Sequence, residues 1–309
     1  MKSKIFVALS TFAEHGQRPL SLLQESGYAF VLNPLKKRLS QDELIQMGRD
    51  CDGVIAGLEP YDDYVLDHTP RLRCISRCGV GVDNIAVEKA KAKGIRIYNT
   101  PDVVTQPVAE LTVAMIFDLL RRLTFHTQLL RSGKWERVTG NLLKGKNVGI
   151  LGLGRIGKKV AEMVKKLDAN VFGVDLYPDT AWAKQWGVKV IALEEALKVS
   201  DILSIHLSVL EDQAFQLGEK EFFMMKKGAF LINVARGQFI NEEALYHALY
   251  QKHLAGAALD VFSKEPYTGK LCELNNVILT PHVGTLTEES RLQMELEATQ
   301  NIVEFFKAH

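Results

Sequence analysis

The chain has little of what marks a special-purpose protein. Its 309 residues include four cysteines, Cys51, Cys74, Cys78 and Cys272. None forms a C-x-x-C pair, so neither a disulfide framework nor a zinc site is indicated; buried thiols and no metal are expected. An excess of one charge is also missing. Lys and Arg number 38 against 37 Asp and Glu, a formal net charge of +1, without the concentrated basic face that nucleic acid or an anionic membrane requires. No apolar run can span a bilayer, and the first, Ile5 to Leu9, is too short for a secretory core. A cytoplasmic protein with no nucleic-acid or membrane partner is expected. There is no low-complexity tract and no disordered linker, so its domains must be joined by short, ordered crossings.

What the chain does have is 47% hydrophobic residues and a length of about two domains. Short β-branched runs alternate with helical patterns from the start. Strands are expected at Ile5–Leu9, Ala29–Leu32, Gly53–Gly57, Leu72–Ser76 and Ile95–Tyr98, with helices between them, which is an α/β pattern. A long apolar helix is then expected over Val108–Leu130. Apolar on several faces, it must be covered on several faces. With the basic-aromatic arm Arg131–Arg137 behind it, a homodimer contact is the expected cover.

The rest of the chain is organised around Asn147–Asp175. A buried-strand pattern, Asn147–Leu151, runs straight into Gly152, Gly154 and Gly157, spaced G-x-G-x-x-G. A helix over Arg155–Leu167 follows, with Ile156, Val160, Met163, Val164 and Leu167 on its apolar face, and then a strand, Asn170–Val174, that ends in Asp175. The three glycines have distinct physical roles. Gly152 permits the tight turn, Gly154 lets a pyrophosphate approach the backbone, and Gly157 lets helix and strand pack closely. The helix N-terminus presents free N–H groups to phosphate. Asp175 can hydrogen-bond both ribose hydroxyls and would repel a 2′-phosphate, so NAD is expected rather than NADP.

Further strands are expected at Lys189–Ile191, Ile202–His206, Ala229–Asn233, Gly256–Leu259 and Val277–Leu279. Three of them lead into segments that carry an ionisable residue: Val234-Ala-Arg236-Gly237, Asp260 to Glu265-Pro266, and Thr280-Pro-His282-Val-Gly284. Carboxyl ends of strands in a doubly wound sheet share one edge, so Arg236, Glu265 and His282 are expected to converge. The set suits hydride transfer between a nicotinamide and a 2-hydroxy or 2-oxo acid. His282 would supply the proton, Glu265 would stabilise and orient the imidazolium, and Arg236 would grip the substrate carboxylate and polarise the carbonyl. His206, at a strand end, fits a wall of the nucleotide site. Asp260 orders Arg236, lies near the nicotinamide, or merely packs at its strand end.

These motifs, with Asn233-Val-Ala-Arg236-Gly237, Ala258-Leu-Asp260-Val-Phe262 and Pro281-His282, resemble the D-isomer-specific 2-hydroxyacid dehydrogenase family over almost the whole chain. The resemblance implies two Rossmann-like domains with doubly wound parallel sheets, one inserted into the other. Residues 1–99 and 285–309 would bind substrate, and residues 100–284 would bind NAD. It also implies a catalytic Arg236, Glu265 and His282, with Gly152, Gly154, Arg155, Ile156, Gly157, Asp175, His206, Val234, Ala235, Asp260 and Gly284 around the cofactor.

Within the family, Arg77-Cys-Gly79-Val80-Gly81-Val-Asp83-Asn84, Asn99-Thr-Pro101, Val108-Ala-Glu110 and Gly133 to Arg137 look most like 3-phosphoglycerate dehydrogenases, without their C-terminal regulatory domain. In that group the glycine turn Gly79-Val80-Gly81 would hold a carboxylate through backbone N–H groups. Arg77 would add a cation, and Arg137 would reach the site from a partner subunit. The expected reaction is thus on 3-phosphoglycerate and 3-phosphohydroxypyruvate. The alternatives are a hydroxypyruvate or glyoxylate reductase and, outside enzymes, an NAD(H)-sensing protein like the C-terminal-binding corepressors.

Overall fold

The computed structural model describes residues 3–209 and 215–308. It divides into two compact units: Met1–Val104 with Thr285–His309, and Thr105–Gly284.

In the first unit β1 (Lys4–Val7), β2 (Ala29–Leu32), β3 (Gly53–Ala56), β4 (Cys74–Arg77) and β5 (Arg96–Tyr98) form one parallel sheet, ordered β2-β1-β3-β4-β5. Its inner strands are buried along their length, because helices cover both faces of a parallel sheet and leave no side for polar residues. The last helix, Glu288–Ala308, packs on β3 and β4. Gly53 makes that approach possible: a Cβ there would meet Phe306 and Ile302 at 2.6 and 2.8 Å. Ser76 Oγ donates to the Ala298 carbonyl of the same helix at 2.8 Å. The chain leaves this unit at Val104, later than the expected Asn99. Thr100 is still tied in, its N–H donating to Gly79 O at 3.0 Å and its hydroxyl accepting the Gly79 N–H at 2.9 Å.

In the second unit β6 (Asn147–Leu151), β7 (Asn170–Val174), β8 (Lys189–Val190), β9 (Ile202–Ile205), β10 (Phe230–Asn233), β11 (Gly256–Leu259) and β12 (Val277–Leu279) are all parallel, ordered β12-β11-β10-β9-β6-β7-β8. Alternate residues feed two cores. Ile150, Ile202 and Ile232 pack with Val108, Ile116 and Leu120 of helix Thr105–Arg121 and with Val160 and Val164 of helix Arg155–Lys165. Leu151, Leu203 and Leu231 point the other way, to Phe222, Leu245 and Leu249. This two-sided pattern makes the sheet doubly wound, and its order reverses between β6 and β9, where such sheets bind ligands.

Several details differ from expectation. The single helix over Val108–Leu130 is two, Thr105–Arg121 and Leu123–Arg131, because Arg122 turns left-handed at φ 53°. Asp118 seals the break by accepting the Thr124 N–H at 2.8 Å as well as its hydroxyl. Helix Arg155–Lys165 stops short of Leu167, which is exposed instead of packed. Helices Thr180–Trp186 and Glu219–Met224 were not expected. Cys272 is exposed, whereas Cys51, Cys74 and Cys78 are buried.

Candidate active site

At the turning point of the second sheet, Gly152 leaves β6 with φ 93°, a conformation that suits glycine, and a Cβ on it would meet the His206 carbonyl at 2.6 Å. The turn and the end of β9 are thereby held edge to edge, with His206 N–H donating to Leu151 O at 2.7 Å. At Gly157 a Cβ would collide with the Gly152 carbonyl, so the helix needs glycine to pack here. Gly154 is different. A Cβ there would meet nothing within 4 Å. The backbone at the start of helix Arg155–Lys165 is therefore open, as a cradle for pyrophosphate must be. Beside it Arg155 is exposed and Ile156 half-buried.

Asp175 follows β7. Its Oδ2 accepts the Leu153 N–H at 2.6 Å and its Oδ1 the Tyr177 N–H at 2.8 Å. The lone pairs that remain can take ribose hydroxyls. Across the switch point, His206 Nε2 shares a hydrogen bond of 2.8 Å with Ser204 Oγ. Burial of the imidazole pushes it down to about 3, so it is neutral at physiological pH and fits a wall rather than an acid.

The three ionisable residues stand at the ends of successive strands. After β10, the fully buried Asn233 accepts the Ala235 N–H at 3.0 Å and donates to Arg236 O at 2.8 Å. This fixes the Val234–Arg236 turn, in which Val234 is buried and Ala235 half-buried. At Gly237 a Cβ would overlap the Phe262–Ser263 backbone. The turn that bears Arg236 therefore lies against the segment that leads to Glu265. Glu265 Oε2 lies 3.1 Å from His282 Nδ1, and its Oε1 accepts the Phe262 N–H at 3.2 Å. Both side chains remain about one-third exposed, so the pair can still meet a ligand. Arg236 is half-buried, with Nη1 donating to the Ala235 carbonyl at 2.7 Å.

The sequence singled out Asp260 but not the partners it has here. Asp260, at the end of β11, turns its carboxylate to the segment that carries His282, accepting from Thr280 Oγ1, Val283 N and Gly284 N. Burial raises its pKa, opposed by these hydrogen bonds and by the nearby His282.

The residues expected to hold substrate are divided between the units. In the first, Arg77 is buried and turns Nη1 back onto the Cys78 carbonyl. Gly79 gives its N–H to the Thr100 hydroxyl, while Val80 is exposed. Arg137, in the second, is exposed. Among the described residues no group of His, Cys, Asp or Glu side chains could hold a metal ion.

A family model described as "D-isomer specific 2-hydroxyacid dehydrogenase, NAD binding domain" matches residues 113–284. The chain belongs to the D-isomer specific 2-hydroxyacid dehydrogenase family. It is 33% identical to a glyoxylate reductase of Korarchaeum cryptofilum, over 99% of this chain and 93% of that one. A D-3-phosphoglycerate dehydrogenase of Pongo abelii is 37% identical over 93% of this chain but only 54% of its own length. Among solved structures, the TT0316 protein of Thermus thermophilus superposes with a TM-score of 0.90 at 31% identity, covering 99% of this chain and 97% of that one. The unit Thr105–Gly284 thus carries the NAD-binding domain of an NAD-dependent 2-hydroxyacid dehydrogenase.

Proposed function

We propose that the protein reduces a short, unphosphorylated 2-oxo acid such as glyoxylate or hydroxypyruvate, with Arg236, Glu265 and His282 as its catalytic residues. Bound NADH supplies the hydride. Glu265 occupies Nδ1 of His282, so the acidic proton is carried on Nε2 and passes to the carbonyl oxygen as the carbon is reduced. Glu265 fixes the ring orientation and balances the imidazolium charge. Arg236, always cationic, grips the carboxylate and polarises the carbonyl. Gly152, Gly154, Arg155, Ile156 and Gly157 would hold the pyrophosphate, Asp175 the ribose, and His206, Val234, Ala235 and Gly284 would line the nicotinamide side. In the other unit the Gly79–Gly81 turn, with the Val80 and Gly81 N–H groups as donors, suits a carboxylate.

The observation that carries the choice of substrate is Arg77, buried and folded onto Cys78 O. A phosphomonoester brings nearly two negative charges that need cationic contacts to leave water, and this cation is turned inward. The glyoxylate reductase that matches along nearly all its length supports the same choice. A phosphorylated substrate is the second reading, favoured by the exposed Arg137 if it reaches a partner's site. A homodimer through the exposed Leu123, Leu130, Trp135 and Leu142 belongs to both readings, and sedimentation would report it. NADH oxidation with glyoxylate, hydroxypyruvate and 3-phosphohydroxypyruvate decides between them. The unphosphorylated acids should have the higher kcat/KM. A preference for the phosphorylated acid that Arg137→Ala abolishes would overturn the first reading in favour of the second.

A further inference from the structure

The carboxyl edge of the first sheet buries two groups of opposite charge, Glu59 at 4% and Arg77 at 7% exposure. β3 and β4 bring them together, since Ala56 pairs with Arg77 and the Cys78 N–H donates to Ala56 O at 2.9 Å. Just past that pair the chain folds back, and Glu59 Oε2 accepts the Gly57 N–H at 2.9 Å. Glycine is needed at 57, because a Cβ would lie 2.7 Å from the same oxygen. Asn84 holds the turn through Nδ2, which donates to the carbonyls of Gly57 and Glu59 at 3.2 and 2.6 Å. Arg77 lies against its own turn: Nη1 donates to Cys78 O, and a Cβ on Gly79 would meet the guanidinium. Each charge is felt nearby. Burial raises the pKa of Glu59, opposed by its own and the Gly57 N–H and by the Arg77 and Arg38 cations. Burial also raises the pKa of Tyr61, with Glu59 adding to the shift and Arg77 reducing it.

We propose that Glu59 is a specificity-determining residue, its carboxylate offsetting the Arg77 charge so that this edge accepts a singly charged 2-oxo acid and rejects a phosphomonoester. A buried guanidinium without an anion is costly, and a carboxylate beside it removes that cost together with the cation's pull on a more highly charged ligand. The inference rests on the reading of the protein as a reductase of unphosphorylated acids, and adds the residue that sets the choice. The inward fold of Arg77 places the cation, and Glu59 cancels it.

The test is kcat/KM for 3-phosphohydroxypyruvate relative to that for hydroxypyruvate, two acids that differ only in the phosphate, with NADH as reductant. Glu59→Gln keeps an acceptor for the Gly57 N–H and removes only the charge. It should raise this ratio about tenfold, through a lower KM for the phosphorylated acid, while hydroxypyruvate changes far less. In the double variant Glu59→Gln/Arg77→Gln neither charge remains, and the ratio should return to the native value. An unchanged ratio in Glu59→Gln, or equal changes for both acids, would overturn the proposal and leave the reductase reading standing. A native protein that prefers the phosphorylated acid would overturn that reading and the role of Glu59 with it. If Glu59→Gln does not fold, the double variant carries the test, because it buries neither charge. A native ratio there supports the offset, and any other ratio overturns it.

Discussion

Asp175 closes the glycine turn with its own carboxylate, Oδ2 accepting the Leu153 N–H at 2.6 Å, so one side chain shapes the turn and keeps lone pairs for the proposed ribose contact. Two effects should therefore appear together in Asp175→Ala. NADH affinity should fall, and the discrimination against NADPH should shrink because the charge that repels a 2′-phosphate is gone. Titration of the native protein and the variant with both cofactors measures this. Equal affinity of the native protein for NADH and NADPH would contradict the role given to Asp175.

The contact between Glu265 Oε2 and His282 Nδ1 makes a different prediction. His282→Ala should lower turnover by about a hundred- to ten-thousandfold, the usual worth of a positioned acid, while NADH still binds. Glu265→Gln keeps an acceptor for Nδ1 and loses only the charge, so its turnover should fall less than that of His282→Ala. Single-turnover NADH oxidation measures both, and an active His282→Ala protein would remove the proposed acid.

All twelve strands among the described residues are legible in the sequence, the inner ones because residues buried on both faces of a parallel sheet form apolar runs; the edge strands β2, β5 and β8 are only partly buried. The pairing of Glu265 with His282 was also accessible. Parallel strands put their carboxyl ends on one edge, which brings the segments after β11 and β12 together despite their separation in sequence. Helices Thr180–Trp186 and Glu219–Met224, at seven and six residues, are too short to show a clear period, although the Asp179 cap and Gly187 at φ 62° mark the ends of the first. The partners of Asp260 were not legible. They depend on the left-handed turn at His282, and no residue pattern announces that conformation at a histidine. Nor could the pattern Arg77-x-Gly79 reveal that the guanidinium turns inward.

His206 sets a pH dependence of stability. Its folded pKa is depressed to about 3, against about 6.5 in an unfolded chain, so between these values the unfolded state binds more protons. Stability from this group is therefore present above about pH 6.5 and lost as pH falls towards about 3. Glu59, Asp260 and Glu295, raised by burial, act in the opposite sense on acidification. The difference between two proteins is thus the measure, not the slope of either. His206→Gln does not titrate and can still pair with Ser204 Oγ. Its urea midpoint should fall less than that of the native protein between about pH 7 and about pH 4.5. Parallel losses in the two proteins would show that His206 does not carry the effect.

The cysteines make the last prediction, because thiolate rather than thiol attacks a disulfide reagent. Burial pushes Cys74 up to about 12 and Cys78 to about 11, and raises Cys51 as well. These three are both shielded and protonated. Cys272 is exposed on the short helical turn Lys270–Glu273. An aromatic disulfide reagent should therefore release one equivalent rapidly from the native chain, with the other three following only on unfolding. In Cys272→Ser the rapid equivalent should disappear and the three slow ones should remain. Rapid reaction of a second thiol in the native protein would mean that the first unit opens around β4 far more often than its buried strands imply.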